Sequence, residues 1–305
     1  MKNLFYKFYH KTLFGNLIRF LYHLTKDRIW PDKLVVKVDY KRRLGKSLNL
    51  SHPVTLNEKI NWLKLNNRNP IYTICADKLE VRNYISSKIG EEYLVPLIFS
   101  TKDPSEIKLE RLPDIPVVVK TNHDSGGVFI IRDKNDIDYT KLQESLQRRL
   151  KINYYLKSKE WQYKNIEPKI VVEKLLMDSS GNIPEDYKLH CFNGKLVFTQ
   201  VDLERHKNHK RNLYDIEWKR IPCRWIYENG DDIPKPLNYA KMKDLAEKIA
   251  SDFTYVRVDF YIVSGSIFFG ELTFNSESGY GKFIPDSYDL YFGKLLNIDM
   301  TSKKG

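Results

Sequence analysis

Cysteine is scarce in this chain: Cys75, Cys191 and Cys223 are the only three in 305 residues, and no two form a close CxxC pair. That excludes a disulfide framework and a structural zinc site, and it fits a reducing compartment. Long apolar runs are missing as well. Leu4, Phe5, Phe8, Leu13, Phe14, Leu17, Ile18, Leu21 and Leu24 give the amino terminus an apolar character, but Lys7, His10, Lys11 and Arg19 interrupt it. No stretch there reaches the roughly 20 apolar residues that span a bilayer. Without an uninterrupted apolar region and a small-residue cleavage site there is no signal peptide to remove, so the mature chain is expected to begin near Met1. Internal repeats, low-complexity segments and obvious long linkers are also lacking.

What remains is a globular composition, 42% hydrophobic and 30% charged, long enough for two or three subdomains. Lysine and arginine number 51 against 39 acidic residues, a net charge of +12 that suits a polyanionic partner: nucleic acid, anionic lipid, nucleotide or acidic glycan. Phe14, Leu17, Ile18 and Leu21 are spaced for a helix. With basic and aromatic flanks, residues 1–30 suit contact with an anionic membrane surface, although packing on its own domain is the more ordinary use of such a face. Thr55 and Glu58 form a T-x-x-E capping box that predicts a helix from near Leu56. Residues 66–70 break it, and a second helix is predicted over 76–89, carrying Asp77, Lys78 and Arg82 and stopped by Gly90. Short apolar runs at 94–99, 117–120, 128–132 and 170–176 read as strands, and 139–156 and 239–253 as helices, with a loop at 229–236. The pattern is α+β.

Four clusters carry candidate chemistry. Residues 117–128 read as a buried strand ending in Lys120, a polar loop with Ser125, Gly126 and Gly127, then another strand. Such a loop can turn backbone N–H groups to phosphate oxygens, with the lysine as a point charge. It matches neither GxxxxGK[ST] nor GxGxxG, and an ordinary hairpin turn is the simpler reading of the cluster alone. Glu173 and Lys174 end a hydrophobic strand where it leaves the core, and the backbone of Glu173, Lys174, Leu175 and Leu176 could meet an adenine edge; a surface ion pair is the plainer alternative.

The third cluster is a β-hairpin built from 256–262 and 267–273, with Arg257 and Asp259 on one face. If the loop is Ser264, Gly265 and Ser266, Asp259 falls opposite Glu271 and the two like charges need a cation between them, such as magnesium. A two-residue loop instead puts Asp259 opposite Gly270 and sends Glu271 to the other face. The metal reading is preferred, because acidic residues otherwise have little reason to interrupt such apolar strands. Fourth, Asp186, Lys188 and the cationic run Arg205, His206, Lys207, His209, Lys210 and Arg211 could neutralise phosphates or an acyl phosphate, though most charge runs are solvated loops.

The order of these segments resembles ATP-grasp ligases, and their wording resembles the TupA-like branch. Leu56-Asn57-Glu58-Lys59-Ile60, Asn122-His123-Asp124-Ser125-Gly126-Gly127, Asp186-Tyr187-Lys188, Asn208-His209-Lys210-Arg211-Asn212 and Gly270-Glu271-Leu272-Thr273-Phe274 carry the likeness, over about residues 50–295. The resemblance implies an ATP-grasp fold, two α+β lobes sandwiching ATP, after a basic helical region at 1–66; the lobes would fall near 67–178 and 179–305. It implies that Lys78, Lys120, Ser125, Gly126, Gly127, Glu173, Lys174, Leu175, Leu176, Asp186 and Lys188 bind ATP, that Asp259 and Glu271 hold Mg2+, and that Arg257, with Lys210 and Arg211, acts in catalysis. The family's metal glutamate is followed two positions later by asparagine. Here that position is Thr273, and Asn275 is taken as the third ligand. The implied activity is an ADP-forming carboxylate–amine ligase working through an acyl phosphate, joining a uronic acid of a cell-surface polysaccharide, or an acidic amino acid, to an amino acid. The setting would be cytoplasmic, at the inner face of the membrane, with no nucleic acid partner. A glycosyltransferase and a non-enzymatic basic module on membrane or nucleic acid are the competing readings.

Overall fold

The computed structural model describes Thr25 and residues 29–204 and 208–300. The amphipathic spacing at 14–21 and the cations Arg205, His206 and Lys207 lie outside the described residues. Helix α1 (Asp32–Leu44) is followed by α2 (Leu56–Asn66), which starts where the capping box predicts. The Thr55 hydroxyl accepts from the Glu58 N–H at 3.2 Å, and the Glu58 carboxylate accepts from the Thr55 N–H at 3.1 Å.

The helix expected over 76–89 is two: α3 (Ile71–Ala76) and α4 (Val81–Ile89). Asp77 makes the break. Its Oδ1 accepts from the Leu79 and Glu80 N–H groups and its Oδ2 accepts from Asn122 Nδ2 at 2.8 Å. A side chain that satisfies its own neighbouring amides competes with a continuing helix.

The first sheet contains β1 (Leu97–Thr101), β2 (Val117–Thr121), β3 (Val128–Ile131) and β4 (Ile170–Lys174), antiparallel in the order β1-β4-β2-β3. β1 begins later than the expected 94–99 because Pro96, which has no N–H for a ladder, precedes it. The helix expected over 139–156 ends early as α5 (Tyr139–Leu150), and Asn153 caps a separate short α6 (Tyr154–Ser158). Alternation turns Val117, Val119, Ile131, Ile170 and Val172 to Leu142 and Leu146 of α5. The register pairs Lys120 with Val128 and Val118 with both Ile130 and Glu173, so these five share the opposite face.

The second sheet comprises β5 (Asp186–Phe192), β6 (Lys195–Leu203) and β7 (Lys210–Tyr214). After the short β8 (Arg224–Trp225) and α7 (Tyr239–Ala250), β9 (Tyr255–Val263) and β10 (Ser266–Thr273) complete it, in the order β10-β9-β5-β6-β7. β11 (Phe283–Ile284) pairs with β8, and α8 (Ser287–Leu295) follows. One face packs Leu189, Val256, Val258 and Phe260 on Met242, Leu245 and Ile249 of α7.

The other face of this sheet is divided. Phe192, Phe198, Leu213 and Tyr255 lie under Leu56 and Ile60 of α2 and Phe292 of α8. The rest carries Lys188, Gln200, Asp202, Arg211, Arg257 and Asp259, all buried. Full burial of a large apolar side chain stabilises a fold by about 1.5–3 kcal/mol, and these polar residues forgo that gain. Their half of the sheet faces the first sheet across a cleft.

The hairpin that ends the sheet departs from the expected register. Val263 pairs with Ser266, so the loop is the two residues Ser264 and Gly265, both at positive φ (49° and 80°), as a tight hairpin turn requires. Phe269 still faces Phe260, but the next pair is Leu272 with Val258, so Gly270 and Glu271 together oppose Asp259. This β-bulge supplies the extra residue that the loop does not, and it returns Glu271 to the face of Arg257 and Asp259. Gly270 suits it, because a Cβ there would lie 3.0 Å from Tyr261 Cε2 and 3.2 Å from the Asp259 carbonyl oxygen.

Candidate active site between the two sheets

Two cavities open on the polar face of the second sheet, and the first of them lies between the two sheets. The first, about 380 Å³, is floored by Lys188, Arg257, Asp259 and Glu271 and roofed by Val118, Lys120, Val128, Ile130 and Glu173. Leu175 and Leu176 line it where the chain passes from one sheet to the other, and Lys78, Ser125, Gly126, Lys174 and Asp186 complete its polar side. The second, about 510 Å³, is lined by Tyr154, Tyr163, Gln200, Arg211, Asn275 and Tyr280 among others. Ser125, Lys188, Arg257 and Glu271 line both, so the cavities meet at those four side chains.

Arg257 is the cation between the carboxylates. Its Nε donates to Asp259 Oδ1 at 2.7 Å, and its Nη2 donates to Asp259 Oδ2 at 2.6 Å and to Glu271 Oε1 at 2.8 Å. The Thr273 hydroxyl donates to the same Glu271 oxygen at 3.2 Å, fixing its rotamer. Burial pushes the Asp259 carboxyl up to about 6, against the pull of Arg257 and Lys188. At Glu271 burial also pushes upward, but Arg257, Lys78 and Lys188 together hold that carboxyl below its ordinary value. The Glu271 side chain keeps 45% of its surface open to the cavities, whereas Asp259 keeps 3%.

The roof is pinned by ion pairs. Glu173 takes Lys120 Nζ at 2.6 Å and Arg82 Nη1 at 3.2 Å, which aims Lys120 into the cleft. Lys78 Nζ donates to the carbonyls of Thr121 and Asp124, tying the start of α4 to the glycine loop. Burial pushes the Lys78 ammonium down, while the Glu271 and Asp124 carboxylates oppose the shift. Asp124 anchors that loop from beneath, accepting from the Thr121 hydroxyl at 2.6 Å and from Arg149 at 2.9 Å. Gly127 sits at φ 71°, and a Cβ there would lie 2.6 Å from Arg149 Nη1. It shapes the loop without lining the cavity.

Lys188 donates to Asp186 and lies 3.4 Å from Asp202, and Arg211 Nε donates to Asp202 at 2.6 Å. Arg211 therefore belongs to the second cavity, where its Nη1 also reaches Glu277 at 2.6 Å. Asn275 lines that cavity too, as do Glu160 and Glu271. Lys210 lines neither cavity. The second cavity's other residues, Arg43, Glu160, Gln200, Asp202 and Glu277 among them, belong to none of the motifs legible in the sequence. Polar residues two apart inside otherwise apolar strands, at 186, 188 and 190 and again at 200 and 202, were the available signal.

Among the described residues no group of three or more His, Cys, Asp or Glu is arranged to hold a metal by itself. Two carboxylates on one side remain, a donor set that suits a hard cation sharing its coordination with phosphate oxygens and water.

Among solved structures the chain is similar to D-alanine–D-alanine ligase from Bacillus anthracis, at 20% identity and a TM-score of 0.44, covering 73% of this chain and 65% of that one. It is also similar to the ATP-grasp ligase PsnB, solved with a variant of its minimal precursor, Mg and ADP, at 9% identity and a TM-score of 0.41, covering 67% and 52%. A third is the ADP complex of purK, an N5-carboxyaminoimidazole ribonucleotide synthetase, at 13% identity and a TM-score of 0.42, covering 71% and 50%. The chain thus spans between half and two thirds of the length of these proteins. No curated protein matches it. Residues 58–297, which hold both sheets, the cleft and α2 from its capping glutamate onward, match the family described as TupA-like ATPgrasp, and the chain belongs to that ATP-grasp family.

Proposed function

We propose that this chain is an ATP- and Mg2+-dependent carboxylate–amine ligase that joins an amino acid to a uronic acid of a cell-surface polysaccharide. The observation that carries the reading is the junction of the two cavities at Ser125, Lys188, Arg257 and Glu271. In this reading the first cavity takes the nucleotide and the second takes the acid and the amine. The base lies among Val118, Val128, Ile130 and Leu176. The N–H groups of Lys174 and Leu175 are given to the Pro96 and Pro116 carbonyls, so Leu176 is the first residue past the strand to offer its backbone to an adenine edge. Lys78, Lys120 and the Ser125-Gly126 loop receive the phosphates.

Asp259 and Glu271 are the residues that would hold Mg2+, which when bound would offset negative charge on the phosphates. A carboxylate resists an amine because its leaving group would be oxide. Transfer of a phosphoryl group from ATP to the carboxylate forms an acyl phosphate and ADP; the amine then attacks the acyl carbon, phosphate leaves, and the amine gives up a proton. Arg257 and Lys188 stand where charge builds in both steps and stabilise it electrostatically.

The substrate class rests on chemistry of the second cavity and of the surface. Tyr154, Tyr163 and Tyr280 with Gln200 and Asn275 are side chains that suit a sugar ring, and Arg43 and Lys157 are exposed cations beside them. The net charge of +12 suits an acidic glycan. Among the described residues no helix is long and apolar enough to cross a membrane. Contact of residues 1–30 with the inner membrane surface is part of the proposal, and retention on anionic vesicles tests it.

The direct test measures ATP-to-ADP conversion with glucuronate or galacturonate as acid and a panel of amino acids as amine, for the native chain and for Glu271→Gln. ADP release that needs both acid and amine and is lost in the variant supports the ligase. Turnover that never depends on an acceptor and is indifferent to the substitution removes it, and sugar-nucleotide binding without ATP hydrolysis would point to the glycosyltransferase.

A further inference from the structure

One stripe of α2 does something that its apolar packing does not require. Asn57, Asn61 and Lys64, at i, i+4 and i+7, are all buried and all end on the backbone of a single loop. The Asn57 amide pairs twice with Gly281, donating to its carbonyl at 2.8 Å and accepting from its N–H at 3.1 Å. Asn61 Nδ2 donates to the Gly279 carbonyl at 2.6 Å. Lys64 Nζ donates to the Ser278 carbonyl at 2.5 Å and its hydroxyl at 3.1 Å, and sits 4.4 Å above the centre of the Tyr280 ring.

The loop they grip is strained. Glu277, Ser278 and Gly279 lie in succession at φ 50°, 54° and 70°, and two of the three are not glycine. Such a run persists only where the surroundings over-determine it. The same loop follows directly on the strand of Glu271 and brings Glu277, Ser278 and Tyr280 to the second cavity. Ser278 completes a relay, because its hydroxyl accepts from Lys64 and donates to Glu160 Oε1 at 2.8 Å.

We infer that α2 is a clamp that sets the wall of the second cavity, with Asn57, Asn61 and Lys64 as positioning residues for the acceptor and not for the nucleotide. The word acceptor rests on the ligase reading above; the clamp itself does not. No member of the stripe lines the first cavity, so loosening it should spare nucleotide binding.

The test uses the full chain as Lys64→Met and as Lys64→Met/Glu160→Gln, the second because the first strands a buried carboxylate. In both, the amides of 276–281 should exchange with solvent at least about tenfold faster while those of 255–273 keep their native rates. Calorimetry should find the Kd for MgADP within about twofold of the native value. With glucuronate and glutamate as acid and amine, their KM should rise at least about tenfold while that for ATP does not. Unchanged exchange at 276–281, or MgADP affinity falling with the acceptor's, overturns the clamp. If the native chain releases no ADP in response to acid and amine, the ligase reading falls, and exchange and calorimetry still decide the clamp.

Discussion

Replacing Arg257 by methionine removes the cation that the two carboxylates on the floor of the cleft share. In the native protein its guanidinium makes three hydrogen bonds of 2.6–2.8 Å to Asp259 and Glu271. Removing one partner of a buried charge pair typically costs about 3–5 kcal/mol, because the other charge is left without compensation. The pH dependence has a definite sign. Burial already raises the Asp259 carboxyl to about 6, above its ordinary 3.8, so its contribution is fully present below about pH 4 and is lost as pH rises through 6. Without Arg257 both carboxyls move higher, and the variant should be least stable near pH 8 and recover as pH falls toward about 5. Each further tenfold gain in a carboxylate's proton affinity corresponds to about 1.4 kcal/mol. Millimolar MgCl2 should recover part of the loss at alkaline pH by replacing the missing cation. Urea denaturation across that range, with and without Mg2+, measures all three effects. A loss below about 1 kcal/mol near pH 8, flat with pH and indifferent to Mg2+, would refute the idea that the bulge sets the two carboxylates against one cation.

Lys120→Met should leave the fold intact, since Glu173 retains Arg82 at 3.2 Å, yet weaken MgADP binding at least about tenfold, or 1.4 kcal/mol, by calorimetry. Gly127→Ala forces a side chain into the left-handed region and against Arg149, and should cost about 1–2 kcal/mol in denaturation while loosening the loop over the phosphates. Thr55→Ala should cost about 1 kcal/mol of stability, because the Glu58 amide loses its cap.

Local signals were legible where one short segment decides the outcome. The T-x-x-E box placed α2, and valine-rich runs placed β2 and β4. The hairpin shows the limit. Alternation tied the shared face of Asp259 and Glu271 to a three-residue loop, whereas the loop has two residues and the compensation comes from the bulge at Gly270 and Glu271. A lone glycine inside a strand was the hint, since that is where bulges form. The break at Asp77 was hidden for another reason: its second carboxylate oxygen is held by Asn122, 45 residues away. Most of the second cavity was invisible because its wall is assembled from α1, α6, β6, β7 and the loop after β10, so no contiguous motif announces it.

The most direct test of the cleft is a crystal structure of the chain with ADP and Mn2+, using the anomalous signal of manganese in place of magnesium. The account predicts a manganese peak within coordinating distance of the Asp259 and Glu271 carboxylates, phosphates against Lys78 and Lys120, and the base beside Leu176. A nucleotide bound outside the space between the two sheets, or a metal peak away from both carboxylates, would contradict it.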